Sequence, residues 1–198
     1  MTLARAWVAG SFPAMVGVGG AKLFFSGAVE SLLKVTQGRL TSETQAKLAA
    51  MRMGPPHKLE PAYPAEDWAR AVKLISAELF PGNDLYAQHA HLGKATVLQF
   101  ADTFMGKAMF GAAKIMGAQR SLDRMTRNFR TGANFIETRF TVIDAKTHEL
   151  WMNDVSDVPG FYAGLIGAGA DVIPGWPDRI EVKQRDGAAC LYELKLTR

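Results

Sequence analysis

From Asn134 onward the chain reads with a strand period, whereas everything before it reads with a helical one. That change limits what the chain can fold into. Strands are expected at about Phe135–Ile143 and Glu149–Val155. Pro159-Gly160 then opens a short Gly-rich helix to about Val172, and Ile180, Val182, Leu191, Leu194 and Leu196 mark two more strands. Asp186-Gly187 between them is a hairpin signal. Helices followed by an antiparallel sheet that carries one helix is the layout of an α+β domain covered on one sheet face. The expected fold is therefore α+β: N-terminal helices packed on a C-terminal four-stranded antiparallel sheet with one inserted helix.

The helical part is punctuated clearly. AKLFF at 21–25 reads as a short strand entering a helix at about Ser26–Thr36. Ser42 with Gln45 three residues later suggests a capping box for the next helix, which Gly54-Pro55-Pro56 ends. Pro64 suits a first helical turn, with Glu66 and Asp67 complementing the dipole of a helix that runs to about Phe80. Residues 84–116 form the longest helical stretch, with Gly106 or Gly111 as the expected break, and a further helix covers about Ala118–Arg130.

The 198 residues suit a single α+β domain over 21–198, preceded by a Gly- and Ala-rich arm over 1–20 that is expected to be flexible or weakly docked. The start has the look of a poor secretory signal, but Gly10, Ser11 and Pro13 interrupt it. The hydrophobic share of 48% fits a globular chain, and no run reaches the length of a membrane span. A lone cysteine, Cys190, excludes an internal disulfide and suits a reducing compartment, so a cytoplasmic location is expected.

Three features bear on function. On a helical wheel of the long stretch, Val97, Phe100, Phe104 and Ile115 form one lane, Met105, Met109 and Met116 another, and Ala101, Ala108 and Ala112 lie between. Small residues flanked by large soft ones leave a groove, which either another helix or an apolar ligand can fill. Second, Lys114, Arg120, Arg124, Arg127 and Arg130 face Asp123 alone: five positives less one negative equals the whole chain's excess of +4. Arg120, Arg124 and Arg127 share a face, either solvated or able to meet acidic lipid headgroups, an acidic protein or phosphates. Third, His89 and His91 are two apart, the wrong spacing for a helical metal pair, so no metal site is expected. One axial imidazole suffices for haem, however. No acid, base or nucleophile constellation stands out, and nothing interleaves aromatics with basic residues as nucleic-acid modules do.

PAYPAEDW, LFPG, HLGKATVLQFADTFMGKAM, MTRNFRTGANFIETRF, ELWMNDV, PGFYAGLIGAG and VKQRDGAACLYEL resemble, in order and spacing from about Phe24 to the end, an essentially myxobacteria-restricted family of small proteins of unknown function. At the level of fold, helices, two strands, a proline-led helix and a terminal hairpin are similar to the superfamily of haem–nitric-oxide sensors, TRAPP vesicle-tethering subunits and 4-vinyl reductase domains. That resemblance implies an apolar ligand enclosed between helices and sheet, haem being one candidate cofactor. The haem sensors' Tyr-x-Ser-x-Arg signature is not found; YELKLTR at the C-terminus does not fit it.

Together these readings lead us to expect a non-enzymatic sensor or adaptor holding a small apolar ligand, with Phe100, Phe104, Met105, Ala108, Met109 and Phe161 lining its pocket. The alternative is a dimeric scaffolding or protein-interaction module with a filled core. Expected partners are the ligand and a second copy or another protein, with peripheral membrane contact through Arg120, Arg124, Arg127 and Arg130, and no nucleic acid.

Overall fold

Apolar residues at helical spacing bury one face of each N-terminal helix, and a computed structural model shows against what. It describes residues 20–197, so the expected arm over 1–20 lies outside them except for Gly20. Strand β1 (Leu23–Phe25) leads straight into α1 (Ser26–Thr36), which buries Val29, Leu32 and Val35. Helix α2 (Ser42–Ala50) is capped one residue earlier than the Ser42 box suggested: the Thr41 hydroxyl accepts from the Thr44 N–H at 3.3 Å. Strand β2 (Ala62–Pro64), which no local signal announced, pairs antiparallel with β1. Its last residue, Pro64, caps α3 (Ala65–Leu79), with Glu66 and Asp67 in the first turn.

The long helical stretch breaks at Asp102-Thr103, ahead of both glycines. Helix α4 (Leu85–Ala101) ends there, and α5 (Phe104–Met116) starts with the Thr103 hydroxyl accepting from the Gly106 N–H at 3.0 Å. A threonine that can satisfy an orphan helix N–H competes with helix continuation, and here it wins. Gly106 has another use: a Cβ there would collide with the Phe100 carbonyl, so glycine lets α5 fold back tightly on the end of α4. The basic helix is also divided, into α6 (Ala118–Asp123) and α7 (Met125–Phe129).

The sheet is antiparallel. Strands β3 (Thr138–Val142), β4 (Thr147–Met152), β5 (Arg179–Asp186) and β6 (Ala189–Lys195) lie in the order β3-β4-β6-β5. Gly187, at φ +55°, makes the expected β5–β6 turn. β4 and β6 alternate regularly and bury Leu150, Met152, Cys190, Tyr192 and Leu194 on one face. Helix α8 (Pro159–Gly167) is the inserted helix, continued by a 3-10 turn at Ala168–Asp171. α8 is apolar on every side and buries Phe161, Tyr162, Ala163 and Ile166, as a helix does when covered on both flanks. α4 packs along one flank and the sheet along the other.

Candidate functional site

The interior between the helices and the sheet is where the sequence placed a ligand, and backbone fills it. A Cβ on Gly93 of α4 would strike the Phe161 carbonyl, one on Gly160 the Tyr86 carbonyl, and one on Gly164 the Ala90 carbonyl. The two helices thus touch backbone to backbone, closer than any pair with side chains between them. Phe161, expected to line a pocket, is 2% exposed and sits in a chain of rings. Phe24 stacks on Trp68 at 4.5 Å, Trp68 meets Phe161 edge-on at 5.6 Å, Phe161 meets Tyr162 at 5.9 Å, and Tyr162 meets Phe129 at 5.8 Å. The chain of rings joins aromatic area with edge-to-face geometry and ties β1, α3, α8 and α7 together.

The other expected lining residues do not join Phe161. Phe100 is half-buried near the end of α4. Past the break, Phe104 is 90% exposed and Ala108 and Met109 are exposed too. The side chain of Met105 lies outside the described residues. The wheel assumed one unbroken rod; the turn at Asp102-Thr103 takes Phe104 off the face that Phe100 occupies. The expected enclosed hollow is therefore replaced by a packed interface on one side and an exposed arm on the other.

A polar cluster borders that interface, on the loop between β4 and α8. Asp154, 5% exposed, accepts from Lys22 Nζ at 2.6 Å and from the Ser156 N–H at 2.7 Å. Ser156 and Asp157 hold left-handed conformations, at φ +46° and +58°. Asp157 pairs with Lys73 at 2.5 Å, and that contact holds its carboxyl below the usual range. Burial, and then the Lys73 charge, push the His89 imidazole down, while Asp157 opposes them, so His89 stays neutral more readily than a free histidine. Burial pushes the Tyr162 hydroxyl well above the ordinary range of phenols. The nearby Ser156 hydroxyl eases this without closing a hydrogen bond of good geometry. Sequence reasoning missed this cluster; the only available signal was the run Asn153-Asp154-Val155-Ser156-Asp157 ahead of Pro159.

The arm formed by α5, α6 and α7 carries the exposed chemistry. The inner face of α5 is Gly106, Phe110 and Ala113. Its outer face presents Phe104, Ala108, Ala112 and Ile115 at spacings of four, four and three, with Phe104 and Ile115 each 90% exposed and Met109 beside them. Lys107 and Lys114, two turns apart, border this lane, and both are exposed. Arg120, Arg124 and Arg127 are exposed, and Arg124 donates to the Met116 sulfur at 3.4 Å, which brings its guanidinium to the end of α5. Arg130 departs from this set. It pairs with Glu137 at 2.7 Å and donates to the Ile136 carbonyl at 3.1 Å, pinning α7 to the approach to β3. Two open clefts lie elsewhere among the described residues: one of about 310 Å³ beside Val172, Ile173, Pro174, Trp176 and Leu196, the other of about 400 Å³ between α2 and α3.

Comparison with known proteins supplies a family for the sequence and a likeness for the fold. The sequence profile of a family described as "Protein of unknown function (DUF2378)" matches residues 22–195. No curated protein matches the chain. Solved structures share the fold at low identity. A single-residue mutant of the T. tengcongensis H-NOX is 12% identical, with a TM-score of 0.60 over 87% of this chain and 97% of that one. A mutant H-NOX protein from K. algicida, in its Fe(II) unliganded form, is 11% identical, with a TM-score of 0.61 over 85% and 95%. An oxygen-binding H-NOX domain related to soluble guanylate cyclases is 12% identical, with a TM-score of 0.60 over 87% and 94%. The fold is thus H-NOX-like.

Haem, named for other structures of this fold, needs an axial side chain, most often an imidazole, facing a ring-sized space. The residues here do not fit it. His89 is wedged against the Gly160 backbone, His148 is buried on the sheet edge-on to Phe140 at 5.3 Å, and His91 lies outside against Phe80 at 5.4 Å. His57 is exposed on the loop after α2. Neither cleft is lined by a histidine.

Proposed function

The chain belongs to the DUF2378 family of proteins of unknown function, and from that premise we propose a non-enzymatic adaptor or sensor domain that works by binding at its surface. The observation that carries this reading is the exposed lane on α5, standing on a core packed solid beneath α4 and α8. Scattered surface leucines need no explanation, but Phe104 and Ile115 at 90% exposure on one helical lane form a contiguous apolar patch of the kind that marks an interaction site. Glycine at 93, 160 and 164 supports the other half of the reading, because it closes the space in which an interior ligand would lie.

Native mass spectrometry and the visible spectrum of the purified chain test it together. The reading expects the bare chain mass and no Soret band, and neither haem nor fatty acid raising the melting temperature. A co-purified apolar compound or a haem spectrum would contradict it.

One observation favours a second reading, a sensor that takes a small apolar ligand from outside. The cleft beside Trp176 is about 310 Å³, at the small end of ligand sites, and Val172, Ile173, Trp176 and Leu196 give it an apolar side beside Asp171 and Asp178. Under that reading Trp176 fluorescence shifts on titration with small hydrophobic compounds, and Val172→Asp abolishes the shift.

A further inference from the structure

We infer that the outer face of α5, with Arg120 and Arg124 beyond its end, docks on an anionic lipid surface; this rests on the surface-binding reading above and names its partner. The first observation is the lane itself, apolar from Phe104 to Ile115 on α5, whose 13 residues end at Met116. A helix of that length extends about 20 Å, too short to cross a bilayer but suited to lying in its plane. Its inner face is fastened to the body by Gly106, Phe110 and Ala113, so the lane is held outward rather than free to turn in. The tight elbow that Gly106 permits fixes that orientation.

The second observation is charge. From Phe104 to Phe129 the chain carries Lys107, Lys114, Arg120, Arg124 and Arg127 against Asp123 alone: five positives less one negative, or +4, as large as the net charge of the whole chain. Lys107, Lys114, Arg120 and Arg127 form no ion pair with any described residue. Lysines beside an apolar lane reach headgroup phosphates while the lane enters the acyl boundary, as in interfacial amphipathic helices. Arg124, held at Met116, extends that cationic border past the end of the lane.

Charge also argues against a second copy as the occupant. A two-fold pairing sets the same patch against itself and would bring two +4 arms together.

Flotation of the full chain with vesicles tests the inference, using phosphatidylcholine alone and phosphatidylcholine with about 30% phosphatidylglycerol. The chain is expected to float with the anionic vesicles at low salt, weakly with neutral ones, and to be released at roughly 0.5 M salt. Lys107→Glu with Lys114→Glu should lower partitioning by about thirtyfold or more, at roughly fivefold per lost surface cation. Phe104→Glu with Ile115→Glu should lower it by roughly a hundredfold. The charge-matched control, Lys34→Glu with Lys47→Glu on α1 and α2, should retain the greater part of the binding, and unchanged melting temperatures show that each variant folds. No flotation at low salt, or α5 variants that float like the control, overturns the inference. So does a dimer in solution that Phe104→Glu with Ile115→Glu dissolves while vesicles take up nothing; that result leaves the surface-binding reading standing. An interior ligand found by mass spectrometry would instead remove the reading itself.

Discussion

Helices α4 and α5 come from one sequence stretch of similar composition, yet the chain uses them in opposite ways. α4 lays Tyr86, Ala90 and Gly93 along α8 and buries Leu92 and Thr96, while α5 turns Phe104 and Ile115 to solvent. Their apolar content does not distinguish them. What does is the pair of residues between them and the partner each finds. Gly93 meets the Phe161 and Leu165 backbone, and Gly160 and Gly164 meet that of Tyr86 and Ala90 in turn, so α4 and α8 close to backbone contact; α5 packs mainly on α4 and α6. Burial follows from the shape of the opposing surface as much as from hydrophobicity.

Substitutions can break that contrast from either side. The largest effect is expected from Phe161→Ala, which empties the centre of the ring chain and should cost about 4 kcal/mol in urea denaturation followed by circular dichroism. A loss under about 1 kcal/mol would mean that the interior is not packed as described. Gly164→Ala should cost about 3 kcal/mol by forcing α4 away from α8, whereas Gly111→Ala on α5, where an added Cβ meets nothing, should be neutral or slightly stabilising.

A smaller effect concerns pH. His89 titrates below its ordinary 6.5 in the folded state, so between the two values the unfolded chain binds more protons. Stability is then complete above about 6.5 and falls as pH drops from there toward the folded-state value. His89→Gln should flatten the melting temperature across that window, leaving the later acid loss from Asp157, whose pKa is also depressed, in place. The smallest effect on stability is expected on the arm: Phe104→Glu should change it by no more than about 0.5 kcal/mol, since that side chain is already in water.

Most of the fold was legible because local chemistry decided it. Asp186-Gly187 fixed the β5–β6 turn, Pro159 opened α8, and the run from Ser26 to Thr36 gave α1 its limits. Three things were not legible. β2 has too few residues to show a period, and it forms because β1 lies beside it. The break at Asp102-Thr103 depends on one hydroxyl reaching one N–H, a choice weighed against flexible glycines nearby. The filled interior depends on Gly160 and Gly164, 67 and 71 residues from Gly93, and sequence spacing cannot show that the backbones of α4 and α8 meet at these positions. The candidate site was misread for the same reason. A wheel drawn through residues 84–116 put Phe100 and Phe104 in one lane, and the elbow separated them. Phe104 and Ile115 did share a lane of that wheel, though the wheel set Phe104 in a pocket lining, and the lysine pair at 107 and 114 was available to mark a surface border.

The most direct test of the contrast is methyl NMR of the dilute chain with a soluble paramagnetic agent that relaxes only nuclei it can approach. Strong relaxation is predicted at Ile115 and Met109, and protection at Ile166, Met152 and Met53. Protection of Ile115 in the monomer, or relaxation reaching Ile166, would contradict a solid core beneath an exposed lane.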